Sequence, residues 1–296
     1  MSRTRTLVAA TRPPFLLLAP VTVLCGLASA VHDGIHLQWQ FLLLALLGAL
    51  AAHVAVNTLN EYQDFRSGLD ALTHRTPFSG GSGALPTDPG GARGVLLTAL
   101  TAVAVTLVIG LYLAWLRGPA IVAVGLAGLA IILGYTRWLN RDPWLCLAAP
   151  GVGFGLMVIG THLALGGRID GTVLLAALVV SSVASNLLLL NQYPDMDADR
   201  AVGRHTFPIV YGIGRSNLAY AVLLATTALL LFGAVQERRF PPLSLAASLP
   251  LLAGLAALFI ANRQRGEAAR LLPALGLNVA TALLTPALLG ATLWLG

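Results

Sequence analysis

The chain has 296 residues, 57% of them hydrophobic and only 10% charged, against roughly 25% charged in an average soluble domain, which excludes a water-soluble globular protein. The formal net charge of +6 does not point to nucleic acid, because an arginine excess confined to the loops on one side is the ordinary consequence of membrane topology and anionic lipid headgroups. Apolar runs recur at about 16–31, 41–59, 94–116, 119–136, 144–165, 171–190, 216–235, 243–261 and 271–295, most reaching the roughly 20 residues a spanning helix needs. They are continuously apolar, unlike the alternating strands of a barrel. They predict an all-α polytopic membrane bundle of nine transmembrane helices around a central cavity, forming one domain over residues 1–296.

Arg3, Arg5 and Arg12 precede the first predicted helix, which ends in Ala28-Ser29-Ala30, a stretch resembling a signal-peptide cleavage site. Pro13, Pro14 and Pro20 make a poor signal core, so this helix is expected to stay in the protein. Cys25 and Cys146 lie in or beside the first and fifth helices, far apart and without metal-ligand spacing, indicating neither a disulfide nor a metal site.

The second predicted helix carries a polar stripe: Asn60 and Asp64 are four residues apart on one face, and His53 and Asn57 extend that face back toward the membrane. After it comes a long connection, about 61–93, with Gly80-Gly81-Ser82-Gly83 and Pro86-Thr87-Asp88-Pro89-Gly90-Gly91. A second long connection, about 191–215, follows the sixth helix, and long loops in compact proteins are usually functional or disordered. Asn191, Asp195 and Asp199 follow an i, i+4, i+8 progression there, Asp197 points elsewhere, and Pro194 predicts a bend. His162 in the fifth helix and Asn278 in the ninth could line a cavity or bond between helices.

The chain has no lysine, and fourteen of its 18 basic residues fall on one side of this helix map: Arg3, Arg5, Arg12, Arg66, Arg75, Arg93, Arg137, Arg141, Arg200, Arg204, Arg215, Arg263, Arg265 and Arg270. Arg117, Arg168, Arg238 and Arg239 fall on the other. The positive-inside rule then places the N-terminus and both long loops in the cytoplasm and the C-terminus outside the cell's inner (cytoplasmic) membrane.

Six of the twelve acidic residues cluster at the starts of the two long loops: Glu61, Asp64 and Asp70 in one, Asp195, Asp197 and Asp199 in the other. Asn60-Glu61-Tyr62-Gln63-Asp64 and Asn191-Gln192-Tyr193-Pro194-Asp195 share the pattern Asn-x-Tyr-x-Asp, the mark of two related halves whose helix ends face one cavity. Clustered carboxylates repel unless a cation joins them. Hard oxygen ligands of this kind suit magnesium, which also takes substrate phosphates, so the two clusters are expected to bind a magnesium-diphosphate group. Capping and solvation of helix ends is the plainer alternative. Arg12, Arg75, Arg137 and Arg204 are candidate diphosphate ligands, the guanidinium fork matching phosphate oxygens. Each is equally an anchor expected from the positive-inside rule.

These residues resemble the UbiA superfamily of intramembrane aromatic prenyltransferases, and most closely its menaquinone-pathway branch. NEYQDFRSGLD matches the first family motif through Asn60, Asp64 and Asp70, and GGSGALP at 80–86 is similar to that branch. NQYPDMDADRAVGRHT resembles the second motif through Asp195 and Asp199, followed by Arg200, Gly203 and Thr206. Tyr135-Thr136-Arg137 resembles the segment that lines the diphosphate end, whereas Glu61 departs from the family's Asp. The resemblance implies Mg2+ held by Asn60, Asp64, Asp70, Asn191, Asp195 and Asp199. It implies diphosphate binding by Arg12, Arg75, Arg137, Arg204 and Asn57, and catalytic roles for Asp64, Asp195, Tyr135 and Arg137. The implied reaction moves an isoprenyl group from a prenyl diphosphate through an allylic cation to an aromatic acceptor such as 1,4-dihydroxy-2-naphthoate, within membrane lipid. A membrane terpene cyclase or a transferase to a non-aromatic acceptor would use the same motifs. A transporter or channel is the alternative of another class, since intramembrane polar residues and repeats also mark ion pathways.

Overall fold

A computed structural model of the chain describes residues 2–264 and 268–296; Arg265, one of the arginines counted above, lies outside them. The described residues contain helices and no strand: α1 (Arg3–Ala10), α2 (Pro13–Leu16), α3 (Leu18–His32), α4 (Trp39–Ser67), α5 (Leu69–Leu72), α6 (Ala84–Thr87), α7 (Ala92–Arg117), α8 (Pro119–Gly134), α9 (Pro143–Ala164), α10 (Gly171–Asn191), α11 (Met196–Ala201), α12 (Phe207–Gln236), α13 (Leu251–Arg263) and α14 (Ala268–Leu295). Among the described residues eight segments are long and apolar enough to cross a membrane, against nine expected; the stretch at 119–136 becomes α8, an apolar helix of only 16 residues.

Two boundaries moved for local reasons. The helix expected at 216–235 starts earlier, at Phe207, because it continues across a kink at Gly212, whose φ of 77° and ψ of 166° are not helical. The helix expected at 243–261 opens as a 3-10 turn over Pro242–Ser248 before α13 begins.

The bundle closes where small residues let backbones approach, as they do between membrane helices generally. A Cβ on Gly155 of α9 would stand 2.3 Å from Ser181 Oγ of α10, and one on Gly26 of α3 would stand 2.5 Å from the Val158 carbonyl of α9. α10 is accordingly the innermost span, with 72% of its apolar window buried, while the α7 segment presents most of its surface outward, with 17% buried. Two inner helices therefore fix the position of the polar motif that follows α10.

Asn278 bonds between helices: its Nδ2 donates to the Asn186 and Leu187 carbonyls at 3.1 and 3.2 Å, and its Oδ1 accepts from Tyr220 Oη at 2.8 Å. His162 likewise pairs with Ser29 Oγ at 2.9 Å. Arg117 donates to the Ala164 carbonyl at 3.0 Å, at the end of α9 away from the acidic motifs.

Candidate functional site

The two acidic motifs meet because each is carried by a long helix that ends in a sharp reversal. α4 runs unbroken through His53, Asn57, Asn60 and Asp64 and stops at Gly68, whose φ of 80° is open to a residue without Cβ. The chain then re-enters as α5 and turns Asp70 inward, where it is buried. In the second half α10 ends at Asn191, the chain bends over Pro194, and Asp195 stands at the head of α11 with Asp199 one turn on. The expected bend is present. Gly203, at φ 78°, then folds the chain back so that the Arg204 amide donates to the Asp199 carbonyl at 3.0 Å.

That reversal brings Arg204 between the motifs. Its Nη1 donates to Asp199 Oδ1 at 2.8 Å and its Nη2 donates to Asp64 Oδ1, so one guanidinium ties the first motif to the second. A second tie comes from the glycine-rich loop, whose Gly80 N–H donates to Asp195 Oδ2 at 3.1 Å. On the other flank Arg12 donates to Asn60 Oδ1 at 3.0 Å and to Glu61 Oε2 at 3.2 Å, and Asn60 Nδ2 donates to Thr136 Oγ1 at 3.0 Å. Asn57 Nδ2 donates to the Thr11 carbonyl at 2.9 Å, fixing the chain just before Arg12.

A polar chamber results. It is lined by Arg12, Asn57, Asn60, Asp64, Asp70, Tyr135, Asn191, Asp195, Asp199 and Arg204. Ten of the twelve residues expected at the site are therefore together. Arg75 and Arg137 line neither this chamber nor the cavity beside it: Arg75 is exposed, with Nη2 on the Asp70 carbonyl at 3.1 Å, and Arg137 is exposed, its guanidinium 5.8 Å from the centre of the Trp138 ring. Asp197 points to solvent, its side chain 98% exposed and paired with Arg200. Glu61 is fully buried and is held by Arg12 and by the Ser82 hydroxyl and amide, so it anchors the glycine-rich loop. Thr206 of the second motif and Gly80 of the glycine-rich stretch also line the chamber, as do Asn140 and Gln192, which no spacing in the sequence distinguishes. The repeated tyrosines are structural. Tyr193 Oη donates to Asn217 Oδ1 at 2.7 Å, and Tyr62 packs against Ala10, Leu85 and Val95.

The chamber adjoins an apolar cavity of about 280 Å³ between α4, α7, α8 and α9. His53, Asn57, Asn60, Arg12, Tyr135 and Phe154 border both spaces.

The donor set fits a hard divalent cation. Asp70 Oδ2, Asn191 Oδ1 and Asp195 Oδ1 are buried acceptors with no hydrogen-bond partner among the described residues, a costly arrangement unless something else completes them. Burial, with Glu61 and Asp64 nearby, pushes the Asp70 carboxyl up to about 7. Burial, with Asp199 nearby, pushes Asp195 up to about 7 against the opposing Gly80 N–H. A carboxyl raised above its unfolded value of roughly 3.9 adds stability that is complete below that value and is lost as pH rises through the folded one. The magnesium-free protein is therefore expected to melt at lower temperature at pH 8 than at pH 5.5. Added Mg2+ should raise the melting temperature most at the alkaline end, where the carboxylates are charged. A profile flat in both pH and Mg2+ would contradict the cation site.

Fold and site together define an all-helical integral membrane protein with an acidic, arginine-tied chamber opening on an apolar cavity. The sequence profile described as the UbiA prenyltransferase family matches residues 19–282, and the chain belongs to that family. It is a membrane prenyltransferase. A 1,4-dihydroxy-2-naphthoate octaprenyltransferase of Mycobacterium tuberculosis is 30% identical over 220 residues, 73% of this chain and 72% of the relative. A digeranylgeranylglyceryl phosphate synthase of Natronomonas pharaonis is 28% identical over 222 residues, 73% and 72% of the two chains. Among solved structures, a UbiA homologue from Archaeoglobus fulgidus bound to DMAPP and Mg2+ superposes with a TM-score of 0.62 at 19% identity, over 94% of this chain and 98% of that one. The transporter alternative falls with the family assignment.

Proposed function

We propose that this enzyme transfers an isoprenyl group from a prenyl diphosphate to an aromatic acceptor of the 1,4-dihydroxy-2-naphthoate kind, with Mg2+ as its cofactor. The observation that carries the reading is the junction itself: a chamber of carboxylates and arginines that continues directly into an apolar cavity between helices. An amphiphile with an anionic head and a hydrocarbon tail matches both parts. The naphthoate acceptor is suggested by the activity for which the Mycobacterium tuberculosis relative is named.

In this reading Asn60, Asp64, Asp70, Asn191, Asp195 and Asp199 hold Mg2+, which when bound neutralises diphosphate charge and favours its departure. Arg12 and Arg204 flank the head group and share that load, and Asn57 keeps Arg12 in place. Donors fixed before the reaction stabilise the leaving diphosphate as its C–O bond breaks. Tyr135 borders the point where chamber meets cavity, beside the allylic carbon. The apolar walls exclude the water that would otherwise capture an allylic cation.

The membrane topology belongs to the same proposal. Nine crossings follow if α8 spans with its flanking turns; at 1.5 Å per residue its 16 residues cover about 24 Å of a roughly 30 Å core. The arginine asymmetry then puts the chamber and N-terminus at the cytoplasmic face of the inner membrane and the C-terminus outside.

The test is transfer of labelled prenyl diphosphate in proteoliposomes with Mg2+, read by product mass. Prenylated naphthoate is the expected product. The likeness to the Natronomonas pharaonis synthase favours one second reading, a glyceryl phosphate acceptor, and product formation from that acceptor alone would establish it. Release of diphosphate with no acceptor present would mark a cyclase.

A further inference from the structure

We propose that the junction between the two cavities seats the hydroxylated ring of the acceptor, and that His53 supplies the hydrogen-bond partner of a ring hydroxyl. The inference rests on the prenyl-transfer reading and adds a binding site for the second substrate. His53 lies seven residues before Asn60 on α4, two turns or roughly 10 Å from it along the helix axis. It borders both spaces, so a group beside it meets the donor where head gives way to tail. Its ring is held edge-on against Phe154, with centroids 5.3 Å apart and planes at 83°. Phe154 borders both cavities as well, offering an aromatic wall to a planar acceptor.

The imidazole is buried, 5% exposed, yet its Nδ1 has no hydrogen-bond partner among the described residues. A histidine kept for packing is normally completed, as His162 is by Ser29. Beside His53, Arg12 Nη2 is held by Asn60 and Glu61 and Asn57 Nδ2 by the Thr11 carbonyl, while Arg12 Nε is a second buried atom without a partner among the described residues, and it can only donate. The cavity wall beyond is Ala49, Ala52, Val56 and Leu188. A dihydroxylated ring entering this space therefore finds His53 among its open polar partners, and unlike the Arg12 guanidinium the imidazole can accept a hydroxyl proton. A neutral imidazole accepts at one ring nitrogen and donates at the other. Accepting from a phenolic O–H places electron density on the ring and fixes which carbon faces the donor. A pocket built around such a bond also rejects rings lacking the hydroxyl.

The experiment measures KM for the naphthoate acceptor and for the prenyl diphosphate separately in proteoliposomes of the wild type, His53→Leu and His53→Gln, with melting temperatures checked in detergent. His53→Leu is expected to raise the acceptor KM by about tenfold or more, to leave the donor KM unchanged, and to lose the preference for a dihydroxy over a monohydroxy naphthoate. His53→Gln, which keeps an acceptor atom within reach, should recover most of both. If leucine disturbs folding, His53→Met repeats the test with a flexible apolar chain. An unchanged acceptor KM in the apolar variants, or an equal rise for donor and acceptor, beside an active wild type overturns the role of His53 alone. A wild type that prenylates no aromatic acceptor overturns the parent reading and this inference together.

Discussion

Replacing Asp195 or Asp64 by alanine is expected to lower prenyl transfer by about 10²–10³-fold each, the scale of removing one fixed electrostatic contact to a developing anion. Asp195 holds one oxygen on the Gly80 amide and leaves the other buried and unpaired, so the substitution removes a cation ligand and also frees the glycine-rich loop. Asp64 is the partner through which Arg204 reaches the first motif. Asp197→Ala is the matched control: it sits within the same acidic run but points to solvent, and activity should stay within about twofold of wild type, as for surface substitutions generally. A readout independent of turnover is the rise in melting temperature on adding Mg2+, since a ligand that binds only the native state stabilises it by an amount that grows with the logarithm of its affinity. That rise should disappear in Asp195→Ala and persist in Asp197→Ala. Equal activity in all three variants would remove the carboxylates from the chemistry.

The contrast between Asp195 and Asp197 shows how far residue spacing reached. Helical periodicity placed His53, Asn57, Asn60 and Asp64 on one stripe, and α4 is a single helix through all four. Periodicity also set Asp197 apart from Asp195 and Asp199, and Pro194 marked the bend. The arginines were not separable in this way. Arg12, Arg75, Arg137 and Arg204 all fall on the motifs' side of the helix map, but only Arg12 and Arg204 enter the chamber. Which of them enters depends on backbone reversals: Gly203 turns Arg204 inward, while Arg137 leaves α8 facing outward over Trp138. Nor could sequence resolve α8, whose apolar run merges with a turn at Tyr135 and ends short of a full span. Gly80, Asn140 and Thr206 reach the site through loop paths, which leave no periodic trace.

Arg204→Ala is expected to be the most destabilising single change at the site. The guanidinium is largely buried, 15% exposed, between two carboxylates whose side chains are 8% and 5% exposed. Removing one partner from a buried charge cluster costs about 3–5 kcal/mol, because uncompensated charge remains inside. The burial that raises the Asp199 carboxyl is opposed in the native protein by Arg204. Without Arg204 that opposition is gone, and the carboxylates also repel Asp195 across the chamber. Lysine in its place keeps one charge but lacks the planar fork that serves Asp64 and Asp199 together, so Arg204→Lys should fall between wild type and alanine. The origin of the loss is testable by removing the stranded charges: Arg204→Ala combined with Asp64→Asn and Asp199→Asn should melt above Arg204→Ala alone while remaining inactive. Mg2+ should also raise the melting temperature of the single alanine variant, because a cation can join the carboxylates in place of the guanidinium. A triple variant no more stable than the single one would mean that Arg204 acts through packing and not through charge, and its role at the diphosphate end would then have to be argued on other grounds.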